Sequence, residues 1–149
     1  MTHQYPALII TVPLIAALLT VLVSWLNKKW CFPLACIGIM IPLLAAVGLL
    51  LEVLEKGVVT YQLGGWRPPI GIEYRIDHLN ALVLLVIFSV ALLNLVGSRA
   101  KVLAEFPEKT GAFYGLSTLF VTGLAGITIT GDAFNLYVLL EITALTGYA

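Results

Sequence analysis

The chain is poor in charged side chains: lysine, arginine, aspartate and glutamate make up only 11% of its 149 residues. Soluble domains carry about a quarter, whereas this chain is 60% hydrophobic and has a mean hydropathy of +1.03. The eight basic and eight acidic residues cancel, so no excess charge points to nucleic acid or to an acidic substrate. The composition excludes an ordinary soluble domain and indicates a protein built for the lipid bilayer.

Residues that hold cofactors are also scarce. The two cysteines, Cys31 and Cys36, lie in one apolar run at a spacing that matches no metal or haem motif. The chain has no histidine and cysteine set for an iron–sulfur cluster and no glycine-rich phosphate loop. We therefore expect no cofactor, no bound metal and no redox chemistry in this chain, and we expect the two thiols to pack in the protein interior.

Long apolar runs define the predicted architecture. A hydrocarbon core about 30 Å thick needs about 20 helical residues, and four stretches without a charged residue meet that length. A fifth begins near Ala133 and contains one carboxylate. We predict a single membrane domain over residues 1–149, an all-α polytopic protein with four full transmembrane helices and a fifth at the C-terminus. The predicted helices are residues 7–26, 30–51, 79–97, 111–130 and 133–149.

Between the second and third predicted helices the sequence alternates polar and apolar residues. Val59 and Tyr61 alternate with polar neighbours, and after a stretch rich in glycine and proline Tyr74 and Ile76 do the same. Such alternation on both sides of a turn predicts a β-hairpin over about residues 57–76; an irregular interfacial loop is the alternative. Because an isolated hairpin is marginally stable in water, we expect it to lie on the helices or on a partner subunit.

The distribution of basic residues predicts the orientation. The side of the membrane richer in lysine and arginine is normally cytoplasmic, which places the N-terminus and the hairpin on the outer face of the cell (inner) membrane. Five basic residues fall on the predicted inner side and three on the outer side: Lys28, Lys29, Arg99, Lys101 and Lys109, against Lys56, Arg67 and Arg75. Aromatic residues near the predicted interfaces fit an aromatic belt: Trp25, Trp30, Tyr61, Trp66 and Tyr74.

The fourth predicted helix carries a stripe of small residues on one face. Small side chains let helix backbones approach closely in lipid, so we interpret the stripe as a packing surface. A hydroxyl-lined path for ions is the alternative. The stripe consists of Gly111, Gly115, Thr118, Thr122 and Gly126.

Glu141 is the outlier, because it lies in the middle of the fifth apolar run. If Asp132 caps that helix, Glu141 lies about 13 Å along the axis, close to the middle of a bilayer. A carboxylate there costs at least ~2.5 kcal/mol and normally faces protein or water. We interpret Glu141 as a proton- or ion-handling residue; a structural polar contact to another helix is the alternative. Tyr148 shares its helix face and is a possible hydrogen-bond partner, and we interpret Asp132 as a cap rather than a ligand.

Two stretches of the sequence resemble a known family. They are YQLGGWRPPIGIEYRIDHLNALVLLV, residues 61–86, and GLAGITITGDAFNLYVLLEITALTGYA, residues 123–149. Together they resemble the start of the D subunit of Mrp-type monovalent cation/proton antiporters. That family includes the antiporter-like proton-pumping subunits of respiratory complex I and of membrane-bound hydrogenases. The GDAFN segment that leads to Leu140, Glu141 and Ile142 is the most specific part of the match.

The resemblance implies a fold built around two inverted repeats of helices. It implies that Glu141 matches a glutamate that pairs with a lysine on a later helix and gates a proton path, and that Asp132 and Tyr148 are at most supporting residues. The implied partners are other membrane subunits, the lipid bilayer, and protons with Na⁺ or K⁺. Because the chain ends within the fifth helix, we expect the N-terminal portion of such a protein, without autonomous transport. The alternatives are a proton-pumping component of a respiratory NADH:quinone oxidoreductase or membrane-bound hydrogenase complex, and a non-transporting truncated remnant.

Overall fold

A computed structural model describes residues 4–66 and 71–149 of the chain. This part contains five α-helices, a two-stranded antiparallel hairpin and two short 3₁₀ turns, Lys28–Trp30 and Leu63–Gly65. The helices and strands, in chain order, are α1 (Tyr5–Leu26), α2 (Cys31–Lys56), β1 (Val59–Gln62), β2 (Glu73–Ile76), α3 (His78–Glu105), α4 (Thr110–Ile129) and α5 (Ala133–Tyr148).

Four of these helices, α1 to α4, are long and apolar enough to cross a membrane. The fifth, α5, has 16 residues. The predicted helical, multi-pass architecture is therefore confirmed. The third helix extends to Glu105, beyond the apolar run that ends at residue 97, because a helix can continue past the hydrocarbon region while its side chains become polar.

The first four helices form a bundle, and α5 lies outside it. α1 packs against α2 and α4, and α2 packs against α3, while α5 packs chiefly against α4. The interior is filled by large side chains such as Tyr114, Phe88 and Ile39, all fully buried. Apolar side chains on the outside of the bundle are exposed, including Leu18 at 58% and Leu93 at 73%. An apolar surface of this extent is what a lipid-facing bundle requires.

The small residues of α4 serve close packing. A methyl group added at Gly115 would lie 2.6 Å from Val21 Cγ2 and 3.2 Å from the carbonyl oxygen of Ala17, both in α1. The hydroxyls of Thr118 and Thr122 donate to carbonyls of their own helix, each at 2.8 Å. These hydroxyls are thus committed to the helix backbone, and the structure supports the packing interpretation of the stripe over an ion path.

The predicted hairpin is also confirmed. Gly57, which ends α2 with φ +80°, a conformation that favours glycine, lets the chain turn into β1. β1 and β2 pair with Val59 opposite Ile76. In β2 the alternation directs Tyr74 and Ile76 inward, at 4% and 0% exposure, and leaves Arg75 exposed. One face of the hairpin therefore packs against the ends of the helices.

Tyr74 departs from the sequence prediction. We expected it in an aromatic belt at the membrane surface, but the alternation of β2 places it with Ile76 on the buried face. Residues 67–70, in the predicted hairpin turn, lie outside the described residues, and they include Arg67 of the charge distribution.

At the other end of the bundle, the α1–α2 and α3–α4 connections meet. Lys28 Nζ lies 2.6 Å from Glu108 Oε2, and the Arg99 guanidinium carbon lies 4.5 Å from the centre of the Phe32 ring. The hydrogen bond and charge of Lys28 hold the pKa of the Glu108 carboxyl below its usual value. Two of the basic residues that predict the inner side thus lie at the end of the bundle away from the hairpin.

Candidate functional site on the fifth helix

An aspartate begins the fifth helix. Asp132 has extended backbone, and its Oδ1 accepts the backbone N–H of Asn135 at 2.7 Å. This bond satisfies one of the N–H groups that a helix start leaves free. The prediction that Asp132 caps the helix is confirmed.

The same carboxylate also contacts the hairpin. Asp132 Oδ2 accepts the backbone N–H of Glu73 in β2 at 3.2 Å, and the Gly131 N–H donates to the Glu73 carbonyl at 2.7 Å. Tyr74, the residue after Glu73, and Thr130, the residue before Gly131, form an isolated antiparallel bridge. The α4–α5 turn therefore binds the edge of β2 through this bridge and the two hydrogen bonds of Glu73.

Polar groups inside the turn support this arrangement. Asn135 is 6% exposed, and its Nδ2 donates to the Thr130 hydroxyl at 2.9 Å. Burial raises the pKa of the Tyr74 hydroxyl, and the negative charge of the nearby Asp132 carboxylate raises it further. The turn is therefore a compact junction of α4, α5 and β2.

One face of α5 packs on small residues of α4. Leu139 is 5% exposed and lies against Gly126, where an added methyl group would be 2.8 Å from Leu139 Cδ1. One turn later Thr143 lies against Gly123. Each residue turns an α-helix by about 100°. Glu141 comes two residues after Leu139, so it lies about 200° around the helix axis, on nearly the opposite face. The carboxylate therefore faces away from α4 and from the four-helix bundle.

The Glu141 face of α5 is open and partly aromatic. Glu141 is exposed, as are Tyr137 at 64%, Leu145 at 68% and Tyr148 at 93%. Tyr137 lies one turn before Glu141, at the i,i+4 spacing that places two side chains on one helix face. Tyr148 lies two turns after Glu141, about 10 Å further along the axis. Along α5, Tyr137 therefore lies nearer to Glu141 than Tyr148 or Asp132 does.

The carboxyl group on this face has no basic partner within the described part of the chain. Over residues 4–66 and 71–149, no salt bridge joins Glu141 to a basic side chain. A carboxylate left in lipid costs at least ~2.5 kcal/mol, and such groups normally face protein or a water-filled cavity. The face around Glu141 is thus chemically suited to contact another polar element or water, and poorly suited to contact lipid.

A second carboxylate lies near the membrane segments at the hairpin end of α2. Glu52 is 7% exposed, and its Oε1 lies 2.9 Å from Lys56 Nζ, one turn further along the helix. Its Oε2 is buried and has no hydrogen-bond partner among residues 4–66 and 71–149. Sequence reasoning missed this group because the predicted helix ended at residue 51, although the i,i+4 spacing of glutamate and lysine is a recognisable signal.

Comparisons with known proteins identify the family. No protein-family model matches the chain. The chain is 36% identical over 152 residues to the N subunit of the NADH-quinone oxidoreductase of Desulforudis audaxviator, covering 100% of this chain and 30% of that protein. It is 31% identical over 150 residues to the D subunit of the Na⁺/H⁺ antiporter of Bacillus subtilis, covering 98% and 29%. The chain belongs to the family of antiporter-like membrane subunits.

Solved structures agree with this assignment. The antiporter-like fold superposes on a chain of the membrane-bound sulfane sulfur reductase, an archaeal respiratory membrane complex, with a TM-score of 0.86 and 34% identity, covering 97% of this chain and 29% of that chain. It superposes on a chain of the Mrp complex from Dietzia sp. with a TM-score of 0.83 and 27% identity, covering 99% and 26%. The chain matches the N-terminal part of its relatives and spans about three tenths of their length.

Sequence reasoning proposed Asp132 and Glu141 as site residues of this antiporter-like protein and did not consider Tyr137. The i,i+4 spacing from Tyr137 to Glu141 could have revealed it, because residues at that spacing share a helix face. Glu73 was also missed, since it contributes through its backbone and no side-chain pattern marks it.

Proposed function

We propose that the chain is the N-terminal part of a proton-conducting component of a multi-subunit cation/proton antiporter, and that Glu141 carries the proton. Under this proposal it is one membrane domain, incomplete relative to its family, and acts in transport rather than as a catalytic enzyme. The observation that carries the proposal is the Glu141 face, an open carboxylate on an apolar helix that points away from the four-helix bundle.

The chemistry of that face supports the proposal. A carboxylate that lipid destabilises is stabilised by taking up a proton, by water or by a cationic partner. If the protonated, hydrated and ion-paired states of the carboxylate have similar free energies, it can accept a proton from one side of the membrane and release it to the other. Tyr137, one turn away on the same helix face, adds a second polar group beside the carboxylate.

The relatives support the identity of the other participants. The chain spans about three tenths of their length, and inverted-repeat transporters build their sites between repeats. We propose that the remaining helices of the complete protein, together with other membrane subunits, cover the Glu141 face and supply its cationic partner. The name of the Bacillus subtilis relative supports Na⁺ as an exchanged ion, and K⁺ is the alternative.

The orientation is part of the same proposal. We place the hairpin and the N-terminus on the outer face of the cell membrane, because Lys28, Lys29 and Arg99 border the opposite end. In this orientation Asp132 begins α5 at the outer face, and Glu141 lies about 13 Å deeper, near the middle of the bilayer.

A glutamine substitution tests the role of Glu141. In the complete protein assembled with its partner subunits in everted vesicles, we expect Glu141→Gln to abolish the proton movement that added Na⁺ or K⁺ drives. Glutamine keeps the size of the side chain but cannot give up a proton. A pH-sensitive dye inside the vesicles measures the flux, and the amount of assembled protein is measured in the same membranes.

Glu55→Gln is the matched control. Glu55 is exposed at the end of α2 and makes no salt bridge in the described part of the chain. The same chemical change at Glu55 should leave exchange at the wild-type level. Normal exchange in an assembled Glu141→Gln protein would rule out the proposed relay.

A second function has specific support. The 36% identity to the N subunit of an NADH-quinone oxidoreductase and the match to a respiratory membrane complex favour a proton-pumping module of a redox-driven complex. Both functions use Glu141 in the same way and differ in what drives the proton. Proton movement that requires an electron donor and acceptor, and that Na⁺ and K⁺ leave unchanged, would favour the respiratory module.

A further inference from the structure

The two oxygens of Asp132 bind two different elements. Oδ1 accepts the Asn135 N–H inside α5 at 2.7 Å, and Oδ2 accepts the Glu73 N–H of β2 at 3.2 Å. A helix cap needs only the first of these bonds. The second bond has no role in starting the helix, so it requires a separate explanation.

The backbone of Glu73 is bound at both of its polar groups by the α4–α5 turn. Its N–H donates to Asp132, and its carbonyl accepts the Gly131 N–H at 2.7 Å. The next residue of β2, Tyr74, bridges to Thr130. The first two residues of β2 are therefore held against the point where α4 ends and α5 begins.

This contact is a second support for α5. The helix lies outside the four-helix bundle and packs chiefly against α4, through close contacts to Gly123 and Gly126. The bond from the N-cap residue of α5 to the hairpin adds a restraint at the start of the helix, because it fixes where the helix begins.

We propose that Asp132 is a positioning residue that ties α5 to the hairpin and thereby sets the depth and rotation of Glu141. The inference rests on the proposed role of Glu141. Glu141 lies at a fixed distance from the start of α5, because each helical residue advances about 1.5 Å along the axis. A shift of the start of α5 along that axis therefore moves Glu141 by the same distance. The position of the hairpin thus determines the position of the proton-carrying residue in the membrane.

An asparagine substitution separates the two bonds of Asp132. Asparagine is also a good helix cap, and its side-chain oxygen can still accept the Asn135 N–H. Its amide nitrogen is a donor and cannot accept the Glu73 N–H. Asp132→Asn therefore keeps the cap and removes the side-chain bond to the hairpin, while the Gly131–Glu73 bond and the Tyr74–Thr130 bridge remain.

The test is a distance measurement by electron paramagnetic resonance in the complete protein in nanodiscs. Nitroxide labels are attached at Thr60→Cys on the exposed side of β1 and at Leu145→Cys on the open face of α5, with Cys31 and Cys36 replaced by alanine. We expect Asp132→Asn to shift or broaden the distance distribution relative to Asp132. The Glu55→Gln control should leave it unchanged.

A proline at Glu73 removes the same bond from the other side. Glu73 is the first residue of β2, a position where proline is tolerated, and proline lacks the N–H that Asp132 accepts. We expect Glu73→Pro to change the distribution as Asp132→Asn does, and the double variant to add nothing to either one. Distributions in Asp132→Asn and Glu73→Pro that match the wild type would overturn the inference. The distance does not depend on proton flux, so failure of the Glu141 relay would be seen separately in the exchange assay.

Discussion

At the scale of single residues, two glutamates of the apolar helices have different surroundings. Glu52 is 7% exposed and is paired with Lys56 at 2.9 Å. Glu141 is exposed on α5 without a salt bridge in the described part of the chain. One charge is compensated within its own helix, and the other is not. The requirement for a further partner therefore falls on Glu141, which is why the proposed function rests on it.

Gly115 provides a residue-scale test of the bundle. An added methyl group would lie 2.6 Å from Val21 Cγ2 and 3.2 Å from the Ala17 carbonyl oxygen, so α1 and α4 would have to separate. We expect Gly115→Ala to lower the free energy of unfolding by about 1–3 kcal/mol, as overpacking does in other cores. Unfolding in mixed detergent micelles, followed by circular dichroism, measures the change.

Gly97 is the matched control for this substitution. It also lies within a helix, α3, but an added methyl group meets no atom within 4 Å. Gly97→Ala should leave stability unchanged or raise it by up to about 1 kcal/mol, because alanine favours the helix. Equal effects at Gly97 and Gly115 would contradict close packing between α1 and α4.

Some residues of the site could be predicted from the sequence, because the signals that mark them come from their immediate neighbours in the chain. A single carboxylate in an apolar run is conspicuous, so the sequence suffices to propose Glu141, and an aspartate before that run predicts the cap that Asp132 forms. Glu52 was missed because its helix continues to Lys56, beyond the apolar run. Burial of a charge depends on neighbouring helices, which hydropathy does not describe.

At the scale of secondary structure, the hairpin joins segments that are far apart in sequence. The alternation of residues predicted both strands, since each strand has one buried face. Nothing in either strand predicted that Glu73 would bind Gly131 and Asp132. Such a contact is determined by where α4 ends relative to β2, which is a property of the assembled bundle.

The contact between the two connections at the opposite end should depend on pH. Pairing with Lys28 lowers the pKa of Glu108 below its ordinary value of 4.5. A carboxyl with a lowered pKa stabilises the folded arrangement above its ordinary value, and this contribution is lost as the pH falls through the lowered value. We expect acidification below 4.5 to release Lys28 and change the fluorescence of nearby Trp30, measured after Trp25 and Trp66 are replaced by phenylalanine.

Glu108→Gln is the control for this pH effect. Glutamine cannot form the ion pair at any pH, so the fluorescence of Trp30 should no longer change over the same acidic range. A transition of the same size in Glu108→Gln would show that another group is responsible.

At the scale of the whole molecule, α1 to α4 form a bundle and α5 extends its surface. The helix count and the multi-pass architecture followed from hydropathy, because span length is fixed by bilayer thickness. The position of α5 outside the bundle did not, since all five helices are apolar. This position leaves the Glu141 face open among the described residues, and we propose that further helices cover it.

The proposed orientation predicts which end reacts with reagents outside the cell. With Cys31 and Cys36 replaced by alanine, Thr60→Cys in the hairpin should react with a membrane-impermeant thiol reagent added to intact cells. Lys101→Cys, at the other end of the bundle, should react only after the membrane is opened. The opposite pattern would place the hairpin in the cytoplasm.

The most direct measurement of the central claim is infrared difference spectroscopy of the complete, reconstituted protein with isotope-labelled glutamate, recorded as the pH is lowered. We predict that one protonating-glutamate band is present in the wild type and in Glu52→Gln and is lost in Glu141→Gln, while the bands of the other glutamates remain. The same band at full intensity in Glu141→Gln would contradict the claim that Glu141 carries the proton.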